Sequence, residues 1–93
     1  MSSIHALIET RLHEAFAPDR LSVLDESAAH AGHAGHSGSG ESHFRVRIVS
    51  ASFAGRSRVD RHRMINEALK PAFEKGVHAL AIEATAPGEA VRW

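Results

Sequence analysis

The chain has 93 residues, 43% of them hydrophobic, and its 11 basic and 11 acidic side chains give a formal net charge of zero at pH 7. This length and composition predict a single folded domain spanning residues 1–93. Because the sequence contains no cysteine, disulfides, zinc fingers and thiol catalysis are excluded. The neutral charge balance leaves no overall basic field to attract nucleic acid.

The N-terminus lacks the pattern of a signal peptide. No apolar run approaches the ~20 residues that span a bilayer. We therefore expect no membrane contact and a cytoplasmic location.

Residues 3–26 show a helix pattern followed by a strand pattern. Ser3 is a candidate N-cap, and apolar residues then recur at spacings of three and four, at Ile4, Leu7, Ile8, Leu12, Ala15 and Phe16. Pro18 and Asp19 are expected to end this helix. Arg20 to Glu26 alternates in the way typical of a short strand.

The composition then changes to alanine, glycine, serine and histidine, with a repeated His-Ala-Gly triplet. This predicts a flexible loop at about 27–41. The loop carries His30, His33 and His36, whose small neighbours leave the imidazoles free to chelate a metal. The alternative is that they are solvated spacer residues. Ordering the loop opposes binding by roughly 1–2 kcal/mol per residue, so a further partner has to supply most of the affinity.

The second half of the chain predicts a strand, a broken helix and a last strand. Ser42 to Ala51 alternates apolar and basic residues. Asp60 is a candidate cap for the next helix, which Pro71 is expected to kink or divide in two. Gly76 is expected to close that helix. Val77 to Ala84 is apolar on both sides, which is typical of a strand that lies centrally or is covered on both faces.

The predicted element order is therefore αββααβ. A hairpin followed by a helical crossover to a third strand makes an α+β fold, with a three-stranded mixed sheet and helices packed on one face.

His78 lies near the start of the predicted third strand. One interpretation is a hydrogen-bonded structural histidine. The other is that its position at an element boundary lets it reach solvent and meet an imidazole of the long loop, because the strand's start faces that loop if it pairs beside the hairpin.

A basic run precedes the second helix. Its arginines, candidate contacts for nucleic-acid phosphates, are Arg56, Arg58, Arg61 and Arg63. The alternative is a solvated helix face that is partly neutralised by Asp60. The sequence shows no aromatic pair of the kind that stacks bases, and its adjacent carboxylates point to opposite faces of a strand. We expect no enzymatic activity.

Four segments in this order and spacing resemble the BolA family over most of the chain, from Ile4 to about Pro87. They are Asp25-Glu26-Ser27, Glu41-Ser42-His43-Phe44-Arg45-Val46, Arg61-His62-Arg63-Met64-Ile65 and Val77-His78-Ala79-Leu80. The resemblance implies a fold similar to a class II KH domain. It also implies a non-enzymatic protein that pairs with a monothiol glutaredoxin of the CGFS type and shares a bridging [2Fe–2S] cluster with it.

Within the family pattern, the C-terminal ligand histidine matches His78, and the loop ligand matches His30. Because this loop is longer than is common, His33 and His36 are alternates for the second ligand. The glutaredoxin and glutathione supply the thiolates, so the isolated chain is expected to hold no cofactor. His62 belongs to the fold signature and is expected to have a structural or partner-contact role.

The leading functional hypothesis is an adaptor for iron–sulfur trafficking or for redox or iron sensing. The alternative is a DNA-binding transcriptional regulator that uses segment 56–63 and the following helix, as the family's basic segment implies. A third reading is an interaction module with no metal of its own. The free chain is expected to be a monomer or a weak homodimer.

Overall fold

The computed structural model describes residues 3–26, 43–91 and 93. The predicted loop at about 27–41 lies outside the described residues, together with His30, His33 and His36. The remaining elements occur in the predicted order: α1 (Ile4–Phe16), β1 (Arg20–Asp25), β2 (His43–Val49), α2 (Arg58–Ala68), α3 (Lys70–Glu74) and β3 (Ala79–Thr85). A short 3-10 turn at Ala51–Phe53 leads from β2 towards α2.

The three strands form a mixed sheet with β2 in the centre. β2 pairs antiparallel with β1 and parallel with β3, so the predicted α+β architecture is confirmed. The prediction that the third strand lies centrally or is covered on both faces is wrong, because β3 is an edge strand. Its open face carries Ala79 and Ala81, which are apolar but small and therefore do not require full burial.

The hydrophobic core lies between one face of the sheet and the helices. Alternate residues of β2 are buried in it, at Phe44, Val46 and Ile48. The same cluster contains buried residues from the helices, at Ile8, Leu12, Phe16, Ile65, Leu69 and Ala72. The intervening residues of β2, Arg45 and Arg47, lie on the opposite, open face, because successive strand residues alternate between faces.

Two serines cap the longer helices. The Ser3 hydroxyl accepts a hydrogen bond from the Ala6 N–H at 3.0 Å, as predicted for the start of α1. The prediction that Asp60 caps α2 is wrong: the Ser57 hydroxyl accepts from the Asp60 N–H at 3.1 Å, and Asp60 lies in the first turn. Pro71 divides the second helical region into α2 and α3, as expected.

The third strand begins later than predicted. Gly76 follows α3 with a φ of 122°, a conformation open mainly to glycine. Val77 is then buried in the core before β3 starts at Ala79. His78 therefore precedes the strand instead of lying within it. Within the described residues, no helix is both long enough and apolar enough to cross a bilayer.

Candidate functional site

His78 occupies an exposed position at the end of the sheet where β3 begins. Its neighbour Val77 is held by burial and by a backbone hydrogen bond from its N–H to the Ala72 carbonyl at 3.4 Å. Its other neighbour, Ala79, pairs in register with His43. The imidazole thus projects from a short segment that is anchored on both sides.

Glu26 and His43, which flank segment 27–42, lie together at one end of the sheet. The Glu26 N–H donates to the His43 carbonyl at 2.8 Å, so the chain leaves β1 and re-enters β2 at adjacent points. His43 lies beside Ala79 on the neighbouring strand, and neighbouring strands are about 4.8 Å apart. The fold therefore brings His78 close to the points where the histidine-rich segment is attached.

The described residues alone do not complete a metal site. No group of three or more histidine or carboxylate side chains in residues 3–26, 43–91 and 93 converges closely enough to hold an ion. The whole chain also lacks the cysteine thiolates on which iron–sulfur clusters depend. One exposed imidazole near the residues that flank the histidine-rich segment is a partial donor set at most.

Arg61, a candidate phosphate contact, makes its hydrogen bonds within the protein. Its guanidinium forms two hydrogen bonds to the Glu89 carboxylate, at 2.7 and 2.8 Å. It also donates to the carbonyls of Ala84 and Arg56, each at 3.0 Å. Only 12% of the Arg61 side chain is exposed. Four of the five guanidinium donors are therefore occupied.

The contact between Arg61 and Glu89 also shifts the pKa of both residues. Hydrogen bonds from the Arg61 guanidinium, together with one from the Ala86 N–H, lower the pKa of Glu89 to about 2. The hydrogen bond to Glu89 raises the pKa of Arg61. The sequence offered no signal for this contact, because the two residues lie far apart in the chain and Glu89 belongs to no recognisable motif.

The other three arginines of the basic run, Arg56, Arg58 and Arg63, are exposed. No acidic side chain of the described residues pairs with them. They remain available for an anionic partner, and their predicted contact with nucleic acid stays a prediction.

The open face of the sheet carries an ion-pair network that the alternation of β2 predicted only as a basic face. Arg45 contacts Glu26 at 3.0 Å and Glu83 at 3.2 Å, and Arg47 contacts Glu83 at 3.1 Å. Hydrogen bonding from Arg47, then from Arg45, lowers the pKa of Glu83. Hydrogen bonds to Glu26 and Glu83 raise the pKa of Arg45. These arginines are therefore neutralised locally.

A groove of about 560 Å³ runs between the start of α2, the β3 edge and the C-terminal segment. We call it the β3 groove. Arg56, Arg58 and His62 line it from the side of α2, residues 82–85 line it from β3, and Trp93 lines it from the C-terminal segment. The Trp93 ring is held by the Arg20 guanidinium, which lies 4.4 Å from the ring centroid. The groove thus combines cations with part of a strand edge.

Comparison with known proteins decides the family. The model of the BolA-like protein family matches residues 12–89. The chain belongs to the BolA family. The element order and mixed sheet described above match those of its solved members, as the resemblance of the four sequence segments predicted.

Three BolA relatives illustrate the similarity. The chain is 59% identical over 92 residues to an uncharacterized protein in the cobS 5' region of Sinorhizobium sp, covering 98% of this chain and 99% of that one. It is 42% identical over 79 residues to the DNA-binding transcriptional regulator BolA of Vibrio cholerae, covering 85% and 71%. The solved structure of BolA1 from Arabidopsis thaliana superposes with a TM-score of 0.86 at 35% identity, covering 98% and 99%.

Proposed function

We propose that this BolA-family chain is an adaptor that binds a monothiol glutaredoxin and co-ligates a bridging [2Fe–2S] cluster for iron–sulfur trafficking or for redox or iron sensing. His78 is one ligand. His30 is the second, with His33 and His36 as alternates. The supporting observation is the exposed position of His78 at the sheet end to which the histidine-rich segment is attached.

The donor chemistry supports a shared cluster over a site within one chain. Imidazole is a borderline ligand suited to iron, and thiolate is absent from this chain. A monothiol glutaredoxin and glutathione would supply the missing thiolates. When bound, a cluster with mixed cysteine and histidine ligation supplies one-electron redox chemistry at a raised potential. This chain contributes neutral imidazole nitrogens and an anchored backbone around His78.

The test is reconstitution of the chain with a CGFS glutaredoxin, glutathione, iron and sulfide, followed by visible absorption and circular dichroism of the heterodimer. We expect His78→Ala to abolish or shift the cluster spectrum. Because His78 is exposed, this replacement should change the protein's free energy of unfolding by no more than about 0.5 kcal/mol.

Matched variants separate a ligand from a general loss of histidine. His13→Ala changes an exposed histidine on α1 and should leave the spectrum intact. Replacing His30, His33 and His36 together by alanine should have the same effect as His78→Ala, and the single replacements identify the second ligand. An unchanged heterodimer spectrum in His78→Ala contradicts the proposal.

The second candidate function is DNA binding. It is supported by the exposed arginines on and before α2, and by similarity to a relative named as a DNA-binding transcriptional regulator. Arg58, Arg61 and Arg63 all belong to α2, but Arg61 is hydrogen-bonded to Glu89. The available contacts are therefore Arg56, Arg58 and Arg63.

Phosphate contacts make binding depend steeply on salt, with a slope of about −0.9 in log K against log salt for each neutralised phosphate of duplex DNA. We expect Arg58→Glu with Arg63→Glu to abolish binding to a duplex in fluorescence anisotropy. These substitutions leave the Arg61–Glu89 pair in place. Duplex binding that ignores both the charge reversals and the salt concentration excludes this function.

A further inference from the structure

We propose that the outer edge of β3, together with the β3 groove, is a docking site for an acidic, extended peptide segment of a partner protein. The site uses different residues from the His78 region and does not depend on cluster binding. It rests on two observations among the described residues: the open backbone edge of β3 and the arginines beside it that have no acidic partner there.

The direction of the backbone groups of β3 follows from two hydrogen bonds. The Thr85 carbonyl accepts from the Ser50 N–H, on the side of β2. The Ala84 carbonyl accepts from the Arg61 guanidinium, on the opposite side. Since neighbouring residues of a strand direct their N–H and C=O groups to opposite sides, Leu80 and Ile82 share the outward direction of Ala84.

This edge is open along most of its length. Arg61 occupies only the carbonyl of Ala84, and no residue in the described ranges hydrogen-bonds to the outward groups of Leu80 or Ile82. A row of unpaired backbone groups at a sheet edge is a template on which another extended segment can pair.

The charges beside the edge select an acidic occupant. The groove's own carboxylates, Glu83 and Glu89, are already paired with arginines. Arg56 and Arg58 line the groove with no acidic partner among the described side chains. A strand docked on β3 that carries carboxylates at alternate positions would place them towards these two guanidinium groups, where charge-assisted hydrogen bonds are strong.

The strand edge favours a peptide over a nucleic acid. Phosphates also match Arg56 and Arg58, but a nucleic acid has no regular series of amide donors and acceptors to pair with Leu80 and Ile82. A groove of about 560 Å³ is also within the size range of sites that enclose a few side chains. Arg63, on the same helix, does not line the groove and serves as a matched control.

The test is an NMR titration of the full chain with an acetylated, amidated hexapeptide of alternating glutamate and valine. We expect saturable shifts of the backbone amides of Ile82 and Ala84, and slower hydrogen exchange of those amides. A peptide of alternating lysine and valine should bind at least about tenfold more weakly, because like charges then meet across the groove. No shift at millimolar acidic peptide overturns the proposal.

Variants and modified probes separate edge pairing from charge attraction. Arg56→Glu with Arg58→Glu should weaken the acidic peptide at least about tenfold, whereas Arg63→Glu should change its affinity by less than about threefold at physiological salt, because exposed charges are screened beyond about 8 Å. Two further peptides carry N-methyl groups on the valine amides or on the glutamate amides. The one that loses the amides facing β3 should bind about tenfold more weakly, since backbone hydrogen bonds are lost.

Three outcomes overturn the proposal. Unchanged binding of both N-methylated peptides excludes pairing with the β3 edge. A single-stranded oligothymidylate that produces the same shifts, with equal loss in Arg63→Glu, identifies a nucleic-acid surface. Shifts of the same amides that depend on protein concentration without peptide identify a second copy of this chain as the occupant.

Discussion

Arg61 links α2 to two points that lie 23 and 28 residues further along the chain. From α2 it reaches the Ala84 carbonyl at the end of β3 and the Glu89 carboxylate in the C-terminal segment. Glu89 in turn accepts from the Ala86 N–H at 2.9 Å. The acid thus joins a turn of its own segment to a helix on the other side of the groove.

The low pKa of Glu89 predicts a pH-dependent contribution to stability. Folding lowers this pKa from 4.5 to about 2, so the stabilisation is fully present above pH 4.5 and is lost as pH falls towards 2. We expect Glu89→Gln to be less stable than the parent chain at pH 6. This stability difference should shrink as the pH falls from 4.5 towards 2. Thermal unfolding by circular dichroism at a series of pH values measures it.

Glu74→Gln is the control for this prediction. Glu74 is exposed at the end of α3, and none of the ion pairs within the described residues includes it. The stability difference between Glu74→Gln and the parent chain should not shrink in this way as the pH falls. A stability difference for Glu89→Gln that is constant from pH 6 to pH 2 contradicts the assignment of the Arg61 contact.

Single residues differed in how far the sequence predicted them. His78 was singled out correctly as a residue at an element boundary, because Gly76 marks that boundary locally. The role of Arg61 could not be predicted, because its partner Glu89 lies 28 residues away in the sequence and meets it only in the folded chain. The sequence shows that an arginine is present but not which distant acid neutralises it.

At the level of elements, the start of α2 shows why a helix boundary is difficult to place. Ser57 and Asp60 are both good capping residues, and each is followed by an arginine that can start a helix. The structure places the Ser57 hydroxyl on the Asp60 N–H, with Arg58 already in the helix. Asp60 therefore lies in the first turn, where its charge favours the positive end of the helix dipole.

The two roles predict different responses to salt. Ser57→Ala removes a neutral hydrogen bond and should lower the free energy of unfolding by about 1 kcal/mol at any salt concentration. Asp60→Asn removes a charge that contributes about 0.3–1 kcal/mol at low ionic strength, and this effect should fade in concentrated salt. Urea unfolding at low and high sodium chloride measures both. The opposite pattern would restore Asp60 as the cap.

The third strand shows a different limit of sequence patterns. Residues 77–84 are almost uniformly apolar, and such a run is typical of a buried strand. Its alanines are small enough to lie on an open face at little cost, so hydrophobicity alone could not distinguish a central strand from an edge strand. The strand order shows which it is: β2 lies between β1 and β3, so β3 is an edge strand.

At the level of the whole molecule, the sheet's mixed topology sets the arrangement of the helices. The parallel pairing of β2 with β3 requires a crossover, which α2 and α3 provide. Packing these helices and α1 on one face buries a single cluster that includes Ile8, Val46 and Ile65. The sequence predicted this arrangement well, because helix and strand periodicities are local and the crossover rule leaves few topologies.

The candidate ligand site, in contrast, was predictable from the sequence only in part. The fold determines where His78, Glu26 and His43 lie, and those positions follow from strand register. The partner that we propose to complete the donor set is not encoded in this chain's own packing. Resemblance to the BolA family supplied that expectation, and physical reasoning from the residues alone left several alternatives open.

The register of the β1–β2 hairpin has a consequence for how such a protein can evolve. Six residue pairs, from Arg20↔Val49 to Asp25↔Phe44, align the two strands. Closing a loop costs only about 0.6 kcal/mol more for each doubling of its length. The 16 residues between Glu26 and His43 can therefore gain or lose histidine triplets with little penalty to the scaffold. Natural variation is free to change the length and histidine content of this segment while the architecture beneath it persists.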